Sequence, residues 1–146
     1  MKIWVFIVAL VLIISPIVWA ESIDEELLYN FLQGPYELIG RWPDSNETYI
    51  GRVLLKKSNR HFKVVRTVSD KSIEGVGKIE TATADNVRVL RIRFSKAGNT
   101  YEGTYLIDSD LDNYCRLSGY LYLKEGGTKK VGLEALFSDH GQLRKE

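Results

Sequence analysis

From Tyr36 to Phe137 the chain alternates apolar and polar residues with a period of two, in eight consecutive runs. Period two sends successive side chains to opposite faces of a strand, so the alternation predicts β-structure with one dry and one wet face. The runs cover 36–42, 48–57, 60–68, 71–81, 86–95, 99–108, 113–124 and 128–137. Turn-forming residues separate most of them: Pro43-Asp44-Ser45-Asn46, Ser58-Asn59, Ser69-Asp70, Ala97-Gly98 and Gly126-Gly127. No gap has room for a crossover helix, so neighbouring strands are expected to pair antiparallel.

The alternation also assigns faces. The inward set is Tyr36, Leu38, Gly40 and Trp42, then Tyr49, Gly51, Val53 and Leu55, then Phe62, Val64 and Val68. It continues with Ile73, Gly75, Gly77 and Ile79, with Leu90, Ile92 and Phe94, and with Tyr101, Gly103, Tyr105 and Ile107. Leu117, Gly119, Leu121 and Leu123 follow, and the last strand is expected to turn Val131, Leu133, Ala135 and Phe137 inward. One apolar face running through eight strands suits a sheet closed on itself. Several inward positions near strand middles are glycine, which lets a strand bend sharply enough to coil the sheet. The expected fold is therefore all-β, an eight-stranded antiparallel up-and-down barrel; the alternative reads those glycines as bulges in a two-sheet sandwich.

Before the strands, Ser22-Ile23-Asp24-Glu25 has capping-box form, and Ile23, Leu27, Leu28, Phe31 and Leu32 share a helical stripe. A short helix over 23–33 is expected, ended by Gly34-Pro35. Residues 1–20 combine Lys2, an apolar run and a small Ala20 before Glu21, the form of a secretory signal peptide. Its removal from 146 residues leaves 126, one domain over 21–146, with 138–146 a polar tail. Loss of Lys2 brings the basic count from 20 to 19, equal to the 19 acids, so the exported chain is neutral. Neutrality and export both argue against a nucleic-acid partner. Cys115 is the sole cysteine, so no internal disulfide supports the domain. An exported domain without a disulfide points to a bacterial periplasmic or secreted protein, with no stable membrane span once the leader is gone.

Gly34-x-Tyr36-x-Leu38-x-Gly40-x-Trp42-Pro43-Asp44-Ser45, Tyr49-x-Gly51-x-Val53-x-Leu55, Phe62-x-Val64-x-Arg66 and Gly75-x-Gly77 resemble small exported bacterial proteins of unassigned function. Those proteins repeat Gly-x-Tyr, Pro-Asp-Gly and Tyr-x-Gly-x-Val motifs on successive strands. The resemblance spans the first half of the exported chain and departs at Arg66, where the pattern carries an aromatic. In topology the whole is similar to lipocalin and avidin barrels, with Gly40-Arg41-Trp42 matching the lipocalin Gly-x-Trp. This likeness implies shape and carries no function.

Few residues point to chemistry. Two histidines, His61 and His140, and one cysteine lie far apart in sequence, so neither a zinc site nor a nucleophile–base pair is expected. Glu74, Glu80 and Glu102 are outward in phase. No enzyme activity, cofactor or metal is expected. The loop Asp108–Asn113 starts like a calcium loop but has Gly119 where the twelfth ligand belongs, so a solvated hairpin tip is the expectation. Arg66 shares phase with Phe62 and Val64, and an unpaired guanidinium inside a barrel costs several kcal/mol. Either it snorkels from the strand end, or it anchors the anionic head of a ligand lined by Trp42, Tyr49, Tyr101 and Tyr105. Tyr114, Tyr120 and Tyr122 are outward on the seventh strand and suggest a covered surface. Two functions are thus expected: binding of a small apolar or amphipathic ligand inside the barrel, or self- or partner association through the outer face around a filled interior. The basic residues at 52–66 leave an acidic glycan or lipid headgroup as a further partner.

Overall fold

The computed structural model describes residues 24–82, 86–107 and 116–139. Eight strands follow one another: β1 (Gly34–Arg41), β2 (Thr48–Lys57), β3 (Phe62–Val68), β4 (Lys71–Ala82), β5 (Val87–Lys96), β6 (Asn99–Leu106), β7 (Arg116–Leu123) and β8 (Gly132–Ser138). Each pairs antiparallel with its sequence neighbours, and β1 pairs with β8 to close the sheet. The fold is an eight-stranded up-and-down barrel of lipocalin-like shape, with no free edge to seed association.

The turns explain the register. Ser69 and Asp70 have φ of 49° and 62°, and Ala97 and Gly98 have 50° and 80°. Two consecutive left-handed residues make the tight turn whose twist matches antiparallel strands, which locks Val68 opposite Lys71 and Lys96 opposite Asn99. The longer β1–β2 connection is clipped to the β7–β8 connection by Asp44. Its Oδ1 accepts hydrogen bonds from the backbone N–H of Lys129 at 2.9 Å and of Lys130 at 2.7 Å.

The inward set expected for β1 through β7 faces the core, with Leu38, Val53, Leu55, Phe62, Val64, Leu90, Ile92, Tyr105, Leu117 and Leu121 buried. The last strand is the exception. In β8 the buried residues are Gly132, Glu134 and Leu136, while Leu133 and Phe137 are exposed. Val131, just before β8, is exposed as well. The expected phase is therefore inverted. Register with both neighbours imposes this: Leu136 lies opposite Leu38 and Leu117, and Glu134 opposite Gly40 and Gly119. Apolar alternation alone selects the other phase, because it rejects a glutamate inside unless a partner is waiting.

Residues 24–32 are helical. Within that helix Tyr29 and Leu32 are buried and Leu27 and Phe31 exposed, so the apolar stripe runs through Leu28, Tyr29 and Leu32 instead of through Leu27 and Phe31. The chain enters β1 at Gly34, whose φ of 138° is open to glycine and strained for other residues. The leader 1–20, Ile23, the Asp108–Asn113 loop, Tyr114, Cys115 and the tail from His140 lie outside the described residues. No helix among those described is long and apolar enough to cross a membrane.

Candidate functional site

Arg66 lies on β3 opposite Val53 of β2 and Ile73 of β4, and its inward phase leaves it 1% exposed. It does not snorkel. Its guanidinium meets Glu134 in a two-point pairing, Nη1 to Oε2 at 3.2 Å and Nη2 to Oε1. The same carboxylate accepts the phenolic hydrogens of Tyr49 and Tyr105. Phe94 closes the remaining face, with the Arg66 Cζ 4.2 Å from its ring centroid. One cation, one anion and two phenols thus satisfy one another inside the barrel, as a buried ion pair requires.

The electrostatics follow. Burial pushes the Tyr49 and Tyr105 hydroxyls far above their usual range, and the Glu134 charge adds to this. Burial alone would lower Arg66, but Glu134 outweighs it and holds the guanidinium charged. Two glycines make space for the phenols. A Cβ on Gly40 would stand 2.6 Å from Tyr49 Cζ, and one on Gly103 would stand 2.7 Å from the Tyr105 hydroxyl. Both rings therefore lie flat over bare backbone.

Above this cluster is the barrel mouth at the β1–β2, β3–β4, β5–β6 and β7–β8 turns. Its inward ring is Trp42, Val68, Ile73, Lys96, Tyr101 and Leu123, all half-buried. Trp42 is 4.5 Å from Tyr49 and 5.7 Å from Tyr101 between ring centroids, and Tyr101 stacks on Phe94 at 5.4 Å. The Lys96 ammonium sits 3.5 Å from the Trp42 ring centroid. An open depression of about 1440 Å³ starts at Trp42, Tyr49 and Lys96 and passes over Val68, Ser69, Asp70 and Ile73 to the outside of β2.

The site residues expected from sequence therefore separate by depth. Arg66, Tyr49 and Tyr105 belong to the buried cluster, Trp42 and Tyr101 to the mouth. Two residues escape a reading of alternation. Glu134 sits in a strand whose other phase is apolar; the signal for it is Arg66, which demands an acid in phase across the barrel. Lys96 escapes because its charge groups it with the outer bases Arg91 and Arg93, although it continues the inward phase of Leu90, Ile92 and Phe94.

The outer face is divided. Across β4 to β7, Arg93 donates to Glu102 Oε2 at 2.5 Å and to Glu80 Oε1 at 2.7 Å, and Arg91 donates to Glu80 Oε2 at 3.2 Å. Tyr122 donates to Glu102 Oε1 at 2.6 Å, so this tyrosine is committed to the network. Hydrogen bonding by Arg93 holds the Glu80 carboxyl below its usual range. Burial alone would raise Glu102, but Tyr122 and Arg93 outweigh it and hold that carboxyl low too. Tyr120 instead is 57% exposed, within a row of apolar side chains that includes Ile39, Leu106 and Leu133. These line a shallow outer groove of about 640 Å³.

Comparison with known proteins adds no relative: no protein-family model matches the chain, and no curated protein matches it.

Proposed function

We propose that this chain is an exported, non-enzymatic binding protein that holds a small amphipathic molecule at the mouth of its barrel. The observation that carries this reading is the set of half-buried mouth residues Trp42, Val68, Ile73 and Lys96 that line the depression. Its apolar residues lie beside many charged and hydroxyl side chains, a mixture that suits a ligand with both kinds of surface. The interior beneath is taken by Arg66, Glu134, Tyr49, Tyr105 and Phe94, so a ligand entering there would have to break a satisfied ion pair. Export rests on the leader-like residues 1–20 and would place the protein in a periplasm or outside the cell. Native mass spectrometry of the protein recovered from its export compartment tests the reading. A bound small molecule that disappears in Trp42→Ala and persists in Tyr120→Ala is expected. Ligand-free protein throughout, in material never exposed to detergent, counts against it.

A second reading has its own observation. Ser118 of β7, Ala135 of β8 and Ile39 of β1 are directly opposed in register, and the row continues to Leu106 and Ile50 without a charged side chain. Exposed apolar rows of this kind mark association surfaces. Under that reading Leu133→Glu abolishes a concentration-dependent increase in sedimentation coefficient. A wild-type chain sedimenting as a monomer at every concentration removes self-association.

A further inference from the structure

We propose that Lys96 is the head-group anchor of the mouth site, and that the site takes an apolar chain ending in an anionic group, a carboxylate in the simplest case. The inference rests on the reading of the mouth as a ligand site and adds the chemical class of the ligand.

Arg66, the obvious anchor for an anion, already has both terminal nitrogens on Glu134 and lies beneath Phe94. An anion there would meet Glu134 first and be repelled. Lys96 is different. It is the one charged side chain in the ring of inward residues at the mouth, among those described. It has no carboxylate partner among the described residues, and its recorded contact is the face of Trp42. The other charges lining the depression are Arg52 and Glu37, paired with each other at 3.1 Å, and Glu47, Asp70 and Lys71 on the turns and strand ends around it. An ammonium resting on an indole still has N–H donors on its open side for a partner.

The same contact excludes other ligand classes. A quaternary ammonium needs an unoccupied aromatic face, and a sugar ring needs a flat one to stack on. Trp42 has Lys96 against its ring and Tyr49 at 4.5 Å, so neither is offered. A cation would in addition face the Lys96 charge. An alkyl chain needs no face: it can lie along Val68 and Ile73 while its carboxylate accepts hydrogen bonds from the Lys96 ammonium. That arrangement gives apolar burial and a charge-assisted hydrogen bond at once.

Calorimetric titration of the exported chain with decanoate, decanol and decyltrimethylammonium, each below its aggregation concentration, tests this. Decanoate should bind at least tenfold more tightly than decanol, and decyltrimethylammonium least of all. Lys96→Gln should reduce decanoate affinity to that of decanol and leave decanol binding unchanged, while Lys96→Arg should retain most of the preference. Equal binding of decanoate and decanol, or decanoate affinity untouched by Lys96→Gln, overturns the role of Lys96 and leaves the mouth reading standing. No binding by either overturns both. Capture of the protein by anionic phospholipid vesicles without binding of free decanoate also overturns it, because the ligand would then be a membrane surface.

Discussion

At the scale of single residues, Arg66 and Glu134 define the molecule. Each is costly inside the barrel alone, and the pairing is what makes either tolerable. Glu134→Ala should therefore destabilise by about 3–5 kcal/mol, because it leaves a guanidinium buried without its partner. The double variant Arg66→Met/Glu134→Leu should recover most of that loss, as apolar replacement of a whole buried pair often does. Chemical denaturation measures both; a Glu134→Ala chain as stable as wild type would show that the pair is not buried in solution. The phenols give a pH signature. Tyr49 and Tyr105 titrate far above the usual value of 10 in the folded chain and near 10 when unfolded. Their contribution to stability is therefore whole below about pH 10 and is lost as the pH climbs beyond it. Ultraviolet titration should show these two tyrosines ionising only together with unfolding. Smooth ionisation of all tyrosines near pH 10 in a folded chain would contradict the cluster.

At the scale of the element, the strands show how much alternation can and cannot convey. In β1 through β7 the inward phase is legible because one phase is mostly apolar, with Arg66 in β3 and Lys96 at the end of β5 as charged exceptions. In β8 both phases carry apolar residues, and the buried one contains the acid. A pattern of single residues cannot see that Arg66 sits across the barrel, so the phase it selects is the wrong one. Lys96 is hidden by its charge: it continues the inward phase of Ile92 and Phe94 but reads as one more outer base. The glycines separate by what they face. A Cβ on Gly75 would stand 2.6 Å from the Arg93 carbonyl oxygen, which is backbone, whereas one on Gly40 meets the Tyr49 ring. Gly40→Ala and Gly75→Ala are each expected to cost about 1–3 kcal/mol. Adding Tyr49→Leu should relieve part of the first, and no single side-chain change should relieve the second; equal response in both backgrounds would refute this account. The outer network has its own pH limit. Glu80 and Glu102 are held below the usual carboxyl value of 4.5, so the unfolded chain takes up their protons first. The stability they supply is complete above about pH 4.5 and falls as the pH drops through their lowered values. Glu80→Gln should flatten that acid limb in a melting-temperature profile between pH 3 and 6; an unaltered slope would place the acid sensitivity elsewhere.

At the scale of the whole barrel, eight strands enclose only enough space for side chains or one small ligand. Here bulky groups occupy the centre: a bidentate ion pair, two phenols and a phenylalanine. Little interior room is left for a ligand beside them. The mouth offers an indole, an ammonium and aliphatic rim residues beside an open depression, and the wall offers an uncharged row from Leu106 to Ile50. Sequence alone makes the barrel legible, along with the aromatic character of its lining, but not the depth at which each aromatic sits. That depth comes from closure, which buries Arg66 beneath Phe94 and leaves Trp42 at the rim. The most direct measurement is a two-dimensional NMR titration of the protein with decanoate. The account predicts shifts concentrated at Trp42, Val68, Ile73, Lys96 and Tyr101, with the Arg66 and Glu134 signals unmoved. Shifts centred on Ile39, Tyr120 and Leu133, or a titration that displaces Arg66 from Glu134, would contradict it.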